Sequence, residues 1–274
     1  MKTARPTAPT IAVVIATYEQ PMSLEKLFAA LAPQVEATDE VVIADDGSGP
    51  WIQEFVARWR SRLRCPLQHV SHPRSGEHKS RIGNRAVAHT TRDYLIFFDG
   101  DCVPHPRCLA DHRALAERSW WVQAQRGCVR ERHTQHFSPD LRSRLACVLR
   151  GGFRDLIILR WPIARVRRLA DWDDATGCNF AMWRADFVAV NGYDERFRGW
   201  GALDIELTMR LRHLGIRCKD ISWQALVYHL DHPKQSRAAV PLSAQLLAET
   251  RRTRRVRTPH GLDGHSGFTP PAAG

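Results

Sequence analysis

Ile96-Phe97-Phe98-Asp99-Gly100-Asp101-Cys102-Val103-Pro104 runs from an apolar stretch straight into two carboxylates separated by one glycine. Such a run predicts a strand buried on both faces, and carboxylates at its carboxyl end stand where open α/β sheets place their ligands. Two hard oxygen donors this close, with glycine leaving room between them, suit a divalent cation that also takes oxygens from a diphosphate. Asp-x-Asp is also a common solvated turn, so the motif takes its meaning from the chain around it.

Upstream, the β-branched run Ile11 to Thr17 predicts a first buried strand. Pro21 then opens a helix whose Leu24, Leu27, Phe28 and Leu31 recur at helical spacing. Glu40 to Ala44 predicts a second strand, ending in Asp45-Asp46-Gly47-Ser48-Gly49, and a helix carrying Ile52, Phe55, Val56 and Trp59 follows. A strand at Leu67 to Val70 and a helix from about Lys79 to Thr90 lead to the fourth strand at Tyr94 to Phe98. Strands alternating with helices predict an α/β fold: a doubly wound, mostly parallel sheet with helices on both faces.

The phosphate-cradling loops of the commonest nucleotide folds are missing: the sequence has neither G-x-x-x-x-G-K-[ST] nor a G-x-G-x-x-G after the first strand. Carboxylates stand at two strand ends instead. An aspartate at the second can accept a hydrogen bond from a base imide or a ribose hydroxyl. Either Asp45 or Asp46 can equally cap the turn made by Gly47 and Ser48.

The 274 residues are 43% hydrophobic, enough for a full core. No stretch approaches the roughly 18 uninterrupted apolar residues of a membrane span, and Met1 to Thr10 lacks an apolar signal region, so a cytoplasmic location is expected. Seven scattered cysteines without a Cys-x-x-Cys pair are expected to be reduced structural thiols.

The net charge of +11 is uneven. Between Arg142 and Arg168, eight arginines are interleaved with Leu, Ile, Phe and Trp. This stretch fits either the surface of an anionic membrane or a partly buried helix with a solvated basic face. A second cluster, Arg251 to Arg257, precedes a Gly-, Pro- and Ala-rich tail expected to be disordered, and could grip any polyanion.

Ala16-Thr17-Tyr18-Glu19, Val41 to Ser48, Arg81 with Asn84, and Phe97 to Pro104 together resemble the successive signatures of inverting family 2 glycosyltransferases of the GT-A fold. Gly177 to Arg184, Asn191 to Phe197 and Gly199 to Leu207 resemble the carboxyl-terminal half shared with β-galactosyl- and N-acetylgalactosaminyltransferases. The resemblance covers residues 10–235 and divides them into a nucleotide-sugar-binding half, 10–104, and an acceptor and catalytic half, 105–235, flanked by a flexible 1–9 and a basic extension, 236–274.

It implies a nucleotide-sugar donor, commonly a UDP-sugar, bound with Mn2+ or Mg2+. By position Asp46 matches the base-binding aspartate, with Thr17 beside it. Asp99 matches the residue that reaches ribose or donor sugar, Asp101 matches the metal ligand, and Arg81 lies near the diphosphate. His229, with His232 second, matches a metal-binding histidine, and one nitrogen among oxygens favours Mn2+ over Mg2+. Asp204 stands at the general-base position, since an inverting transfer needs a group to take the acceptor's proton; its alternative use is a helix N-cap. Trp200 offers a face for sugar stacking. Gly201-Ala202-Leu203-Asp204 departs from the family's Gly-Gly-Glu-Asp, so Leu203 replaces a hydroxyl-binding Glu, and Gly201 and Glu206 remain as acceptor-side candidates.

The expected product is a saccharide or lipid-linked saccharide of polysaccharide or lipopolysaccharide synthesis. Two rivals differ in class. Asp99 and Asp101 also fit the nucleophile motif of haloacid-dehalogenase-type phosphatases, although that motif sits on a first strand. A non-catalytic basic protein binding membrane or nucleic acid fits the charge, but no nucleic-acid module is recognisable, so nucleic acid is not expected as a partner.

Overall fold

A computed structural model describes residues 8–74, 76, 78–154, 159–169, 175–199, 201–232 and 240–268. The amino-terminal half alternates as expected: β1 (Ile11–Thr17), α1 (Pro21–Leu31), β2 (Glu40–Asp45), α2 (Trp51–Arg60), β3 (Leu67–Ser71), α3 (Lys79–Ala88) and β4 (Tyr94–Asp99). There follow β5 (Cys102–Pro104), α4 (Cys108–Leu115), β6 (Trp120–Ala124), β7 (Arg126–Val129), α5 (Glu131–Thr134), α6 (Leu141–Leu149) and β8 (Arg165–Leu169). The chain continues through β9 (Asn179–Trp183), α7 (Arg184–Ala189), α8 (Leu203–His213), β10 (Arg217–Ser222), β11 (Val227–Leu230) and α9 (Val240–Thr253).

The main sheet has the order β3-β2-β1-β4-β9-β6-β10-β8. Its first four strands are mutually parallel, while β9 runs antiparallel between β4 and β6, and β8 antiparallel on β10. Side chains alternate across each strand. Val13, Ile15, Val41, Ile43, Ile96 and Phe98 meet α1 and α2 on one face. Ala12, Val14, Val42, Ala44, Leu95 and Phe97 meet α3, α7 and α8 on the other. Burial on both faces is why these strands read as unbroken apolar runs.

A second sheet, β5-β11-β7, sets His229 opposite Cys102, beside Asp101. Between β10 and β11, Trp223 and Ala225 take left-handed backbone (φ 71° and 51°), which ends the one strand and redirects the chain into the other.

The basic extension folds back on the domain as far as residue 268. Leu246 and Leu262 join the second core, and the Asn191 amide donates to the Thr258 carbonyl at 2.9 Å. Residues 269–274 of the expected disordered tail lie outside the described residues.

Candidate active site

Parallel register brings the strand ends together: Thr17 pairs with Asp45, and Ala16 with Asp99. The two adjacent aspartates at the end of β2, Asp45 within it and Asp46 just beyond, divide their work. Asp45 accepts from the Ser48 amide at 2.9 Å and contacts His69 at 3.0 Å, which makes it the turn cap. Burial opposes its ionisation, yet His69 and Ser48 hold its carboxyl below the usual range. Asp46 faces the other way, against the His72 ring at 2.6 Å, the Arg74 guanidinium and the His78 amide at 3.2 Å. Arg74 in turn lies over the Tyr18 ring, 3.6 Å from its centroid.

Gly100 is required by close approach. A Cβ there would stand 2.8 Å from both Thr17 Oγ1 and Gln20 Oε1. Thr17 Oγ1 is itself buried without a hydrogen-bond partner among the described residues. Beyond Gly100, the buried Asp101 carboxylate accepts from Gln20 Nε2 at 3.1 Å and lies 3.0 Å from His232 Nε2 and 3.5 Å from His229 Nε2. Burial pushes its pKa up, but His232 and His229 outweigh it and bring it down to about 2. Asp101, Cys102 and His229 offer ligand atoms within 4.8 Å of one another, a mixed oxygen, sulfur and nitrogen set that fits a divalent ion.

Asp99 points elsewhere, to Lys79 Nζ at 2.5 Å. Lys79 was not expected from the sequence; it opens α3, whereas the expected cation, Arg81, is exposed one half-turn later. Burial works against the Lys79 ammonium, but Asp99 and then Asp204 hold its pKa above the ordinary value. Phe97, Phe98, Gly83, Gly177 and Tyr193 line the same cavity as Lys79.

Asp204 completes this group. The N-cap of α8 is Ala202, in left-handed backbone at φ 53°, so Asp204 lies inside the first turn and is not the cap. Its carboxylate lies so close to Gly177 that a Cβ there would be 2.1 Å from Oδ2. Oδ1 is buried with no hydrogen-bond partner among the described residues. The pKa is raised, first by burial; Lys79 pulls it down and Asp99 pushes it up again. Gly177 went unrecognised as a contact because only the folded chain places it on Asp204.

Two acceptor-side candidates lie apart from this cluster. Glu206, fully buried, bonds Arg210 at 2.8–3.0 Å one helical turn later and accepts from Thr250 Oγ1 at 2.9 Å, so it does not reach the cleft. The pair anchors α8, because Arg210 also donates to the carbonyls of Val190 and Gly192. Gly201 (φ 122°) neighbours Val240 and Ser243 of α9. Trp200 lies outside the described residues. Asn84, expected beside Arg81, instead pins the Tyr193 backbone, donating to its carbonyl and accepting from its amide at 2.8 Å.

The sequence profile described as glycosyl transferase family 2 matches residues 12–187. The chain belongs to glycosyltransferase family 2. A second profile, described as the N-terminal domain of galactosyltransferase, matches residues 163–233. Validoxylamine A glucosyltransferase of Streptomyces hygroscopicus subsp. jinggangensis (strain 5008) is 28% identical over 223 residues, 76% of this chain and 52% of that protein. Chondroitin synthase of Escherichia coli is 24% identical over 247 residues, 81% of this chain and 35% of that protein. The chain thus spans about half the length, or less, of these curated relatives.

Among solved structures, S. aureus TarS 1-349 superposes with a TM-score of 0.62 at 16% identity, covering 88% of this chain and 64% of that one. The mannosyltransferase PcManGT from Pyrobaculum calidifontis, solved with GDP-Man and Mn2+, gives 0.58 at 18% identity, covering 94% and 70%. The fold is therefore GT-A, as expected from the sequence, and not that of a haloacid-dehalogenase-type phosphatase. No helix among the described residues is long and apolar enough to cross a membrane.

Proposed function

We propose that this glycosyltransferase moves a hexose or N-acetylhexosamine from a nucleotide-sugar, a UDP-sugar in the first instance, to an acceptor sugar with inversion at the anomeric carbon. The acceptor is a saccharide or lipid-linked saccharide of surface polysaccharide or lipopolysaccharide synthesis. The observation that carries the proposal is Asp204: a buried carboxyl with a raised pKa and a partnerless oxygen, set beside the Lys79–Asp99 pair. A group so placed accepts a proton from an attacking hydroxyl. Lys79 steadies the Asp204 carboxylate and donates to Asp99, which faces the donor side. Asp46 and Thr17 meet the nucleoside at the strand ends.

Asp101 and His229, with His232 beside them, would hold Mn2+ in preference to Mg2+, supplying Lewis-acid neutralisation of the departing diphosphate. Fold neighbours solved with UDP-GlcNAc, with UDP, GalNAc and Mn2+, and with GDP-Man and Mn2+ support a nucleotide-sugar donor and a divalent ion.

The test is thermal stabilisation by a panel of nucleotides and nucleotide-sugars, with Mn2+, with Mg2+ and with chelator. A ligand at 100 times its Kd adds about 2.7 kcal/mol. The expected result is a shift with one UDP-sugar that chelator removes and that Asp101→Ala lacks. No shift with any nucleotide would sink the proposal.

A further inference from the structure

The arginine-rich stretch left two uses open, and the exposure of its side chains separates them. A helix with a solvated basic face turns its leucines inward. In α6 the reverse holds. Leu141, Leu145, Val148 and Leu149, at i, i+4, i+7 and i+8, are all exposed, with Leu149 at 87%. The buried side of α6 is made instead by Cys147, which joins Phe137 and Tyr228, while Arg144 donates to the Tyr228 hydroxyl at 3.1 Å.

A second segment repeats the arrangement. Leu159, Trp161 and Ile163 are exposed at 56%, 57% and 74%. The chain beneath them is fixed: the Trp161 amide donates to the Trp223 carbonyl at 2.9 Å, Gln224 Nε2 donates to the Pro162 carbonyl at 2.7 Å, and Arg160 grips Asp111 through two bonds of 2.8 and 2.7 Å. These apolar side chains are thus held outward by a hydrogen-bonded backbone. Both segments are anchored on the same part of the fold: Arg144 of α6 bonds Tyr228, whose ring centroid lies 6.4 Å from that of His105, and Arg160 of the second segment bonds Asp111 of α4, which follows His105 in the chain.

Large apolar side chains scattered singly on a surface need no explanation, but clustered ones do. Charge selects the occupant. Residues 141–169 contain eight arginines and one acid, Asp155. Arg142 and Arg150, exposed at the two ends of α6, form no ion pair among the described residues. Exposed leucines flanked by arginines, with an exposed tryptophan in the second segment, are the chemistry of a bilayer interface.

We propose that α6 and the Leu159–Ile163 segment form a docking surface for anionic lipid bilayers, inserting Leu145, Leu149, Trp161 and Ile163 among acyl chains while Arg142 and Arg150 meet lipid phosphates. None of these four apolar side chains or two arginines belongs to the Asp204 or Asp101 clusters, so the proposal does not depend on the choice of donor. It holds the enzyme at a lipid face, where a lipid-linked acceptor would be presented.

The test is flotation of the full chain with vesicles of phosphatidylethanolamine and phosphatidylglycerol, against vesicles of phosphatidylcholine alone. Binding to the anionic vesicles only, weakened by salt, is the expected result. Leu145→Asp with Leu149→Asp should lower partitioning by about tenfold or more, and Arg142→Gln with Arg150→Gln by about tenfold. These side chains are exposed, so melting temperature should stay within experimental error of wild type; Trp161→Ser supplies an independent variant should the helix prove sensitive. Equal binding by wild type and all variants, or none to any vesicle, overturns the proposal. So does a solution dimer that Leu145→Asp with Leu149→Asp dissociates, which would make the face a contact between copies of this chain.

Discussion

Gly177→Ala separates the placement of Asp204 from the integrity of the fold. An added Cβ would lie 2.1 Å from Asp204 Oδ2, 2.2 Å from Cγ and 2.3 Å from Oδ1. Relaxed contacts are about 3.5 Å, so the carboxylate must retreat by more than about 1 Å. Gly177 is not in left-handed backbone, so alanine is allowed there, and the obstructing atoms belong to a side chain that can rotate. Stability should therefore stay near wild type, helped by about 0.4–1 kcal/mol from a less flexible unfolded chain. Catalysis should not escape, since a misplacement of about 1 Å costs on the order of 100-fold. The assay pairs nucleotide release in the presence of acceptor with thermal stabilisation by the donor and metal. Transfer falling about 100-fold with donor stabilisation retained is expected. A folded Gly177→Ala protein that transfers at the wild-type rate would refute the role given to Asp204.

The pH profile offers a second test. Burial raises the Asp204 pKa, and the base form is the carboxylate, so kcat/KM should rise with pH through a value above the usual carboxylate range of about 4. Lys79→Met removes the charge that lowers this pKa and should move the limb upward; an unmoved limb would exclude Asp204. Because the folded pKa is raised, Asp204 contributes stability at acid pH and loses it as pH rises through that value. Asp204→Asn should therefore melt at or above wild type at pH 8 with no such gain at pH 3, while transfer is lost. Glu206→Ala should behave as a structural lesion: stranding the fully buried Arg210 costs about 3–5 kcal/mol in a denaturant titration. An altered acceptor KM without that loss would restore Glu206 to the cleft.

The parts of the fold that the sequence displayed are those with a local signal. Ile11 to Thr17 and Tyr94 to Phe98 are apolar throughout because helices cover both faces of the sheet, and burial on both sides leaves a plain pattern. The insertion of β9 between β4 and β6 has no local signature, since strand order is fixed by long-range pairing. The break between Ser222 and Val227 was hidden because Trp223 and Ala225 are not residues that announce left-handed backbone. In the site, Asp99, Asp101 and His229 stood out as motifs. Lys79 lay in no motif, and Gly177, although it opens the Gly177 to Arg184 stretch, gave no sign of its contact, because their meaning lies in partners 20 and 27 residues away, Asp99 and Asp204. Glu206 did carry a warning, an arginine four residues on, which in a helix is the spacing of an ion pair.

Two carboxylates at this sheet edge are driven in opposite directions, and the contrast accounts for their separate chemistry. Asp101 is buried against two imidazoles and Gln20, and its pKa falls to about 2, so it stays ionised at any working pH and can hold a cation. Asp204 is buried against the Gly177 backbone, where the Lys79 ammonium, shared with Asp99, and backbone hydrogen bonds compensate only in part, and its pKa rises. Burial is common to both, so neighbours decide the sign. A carboxylate kept charged serves as a ligand, and one whose charge is costly gains by taking up a proton. Lys79 sets the balance: bonded to Asp99 at 2.5 Å, it offers Asp204 only attraction at a distance, which lowers a pKa that burial and Asp99 raise. The single-residue change that should disturb Asp99 and Asp204 at once, leaving Asp101 with its own partners, is therefore at Lys79, which no motif marks.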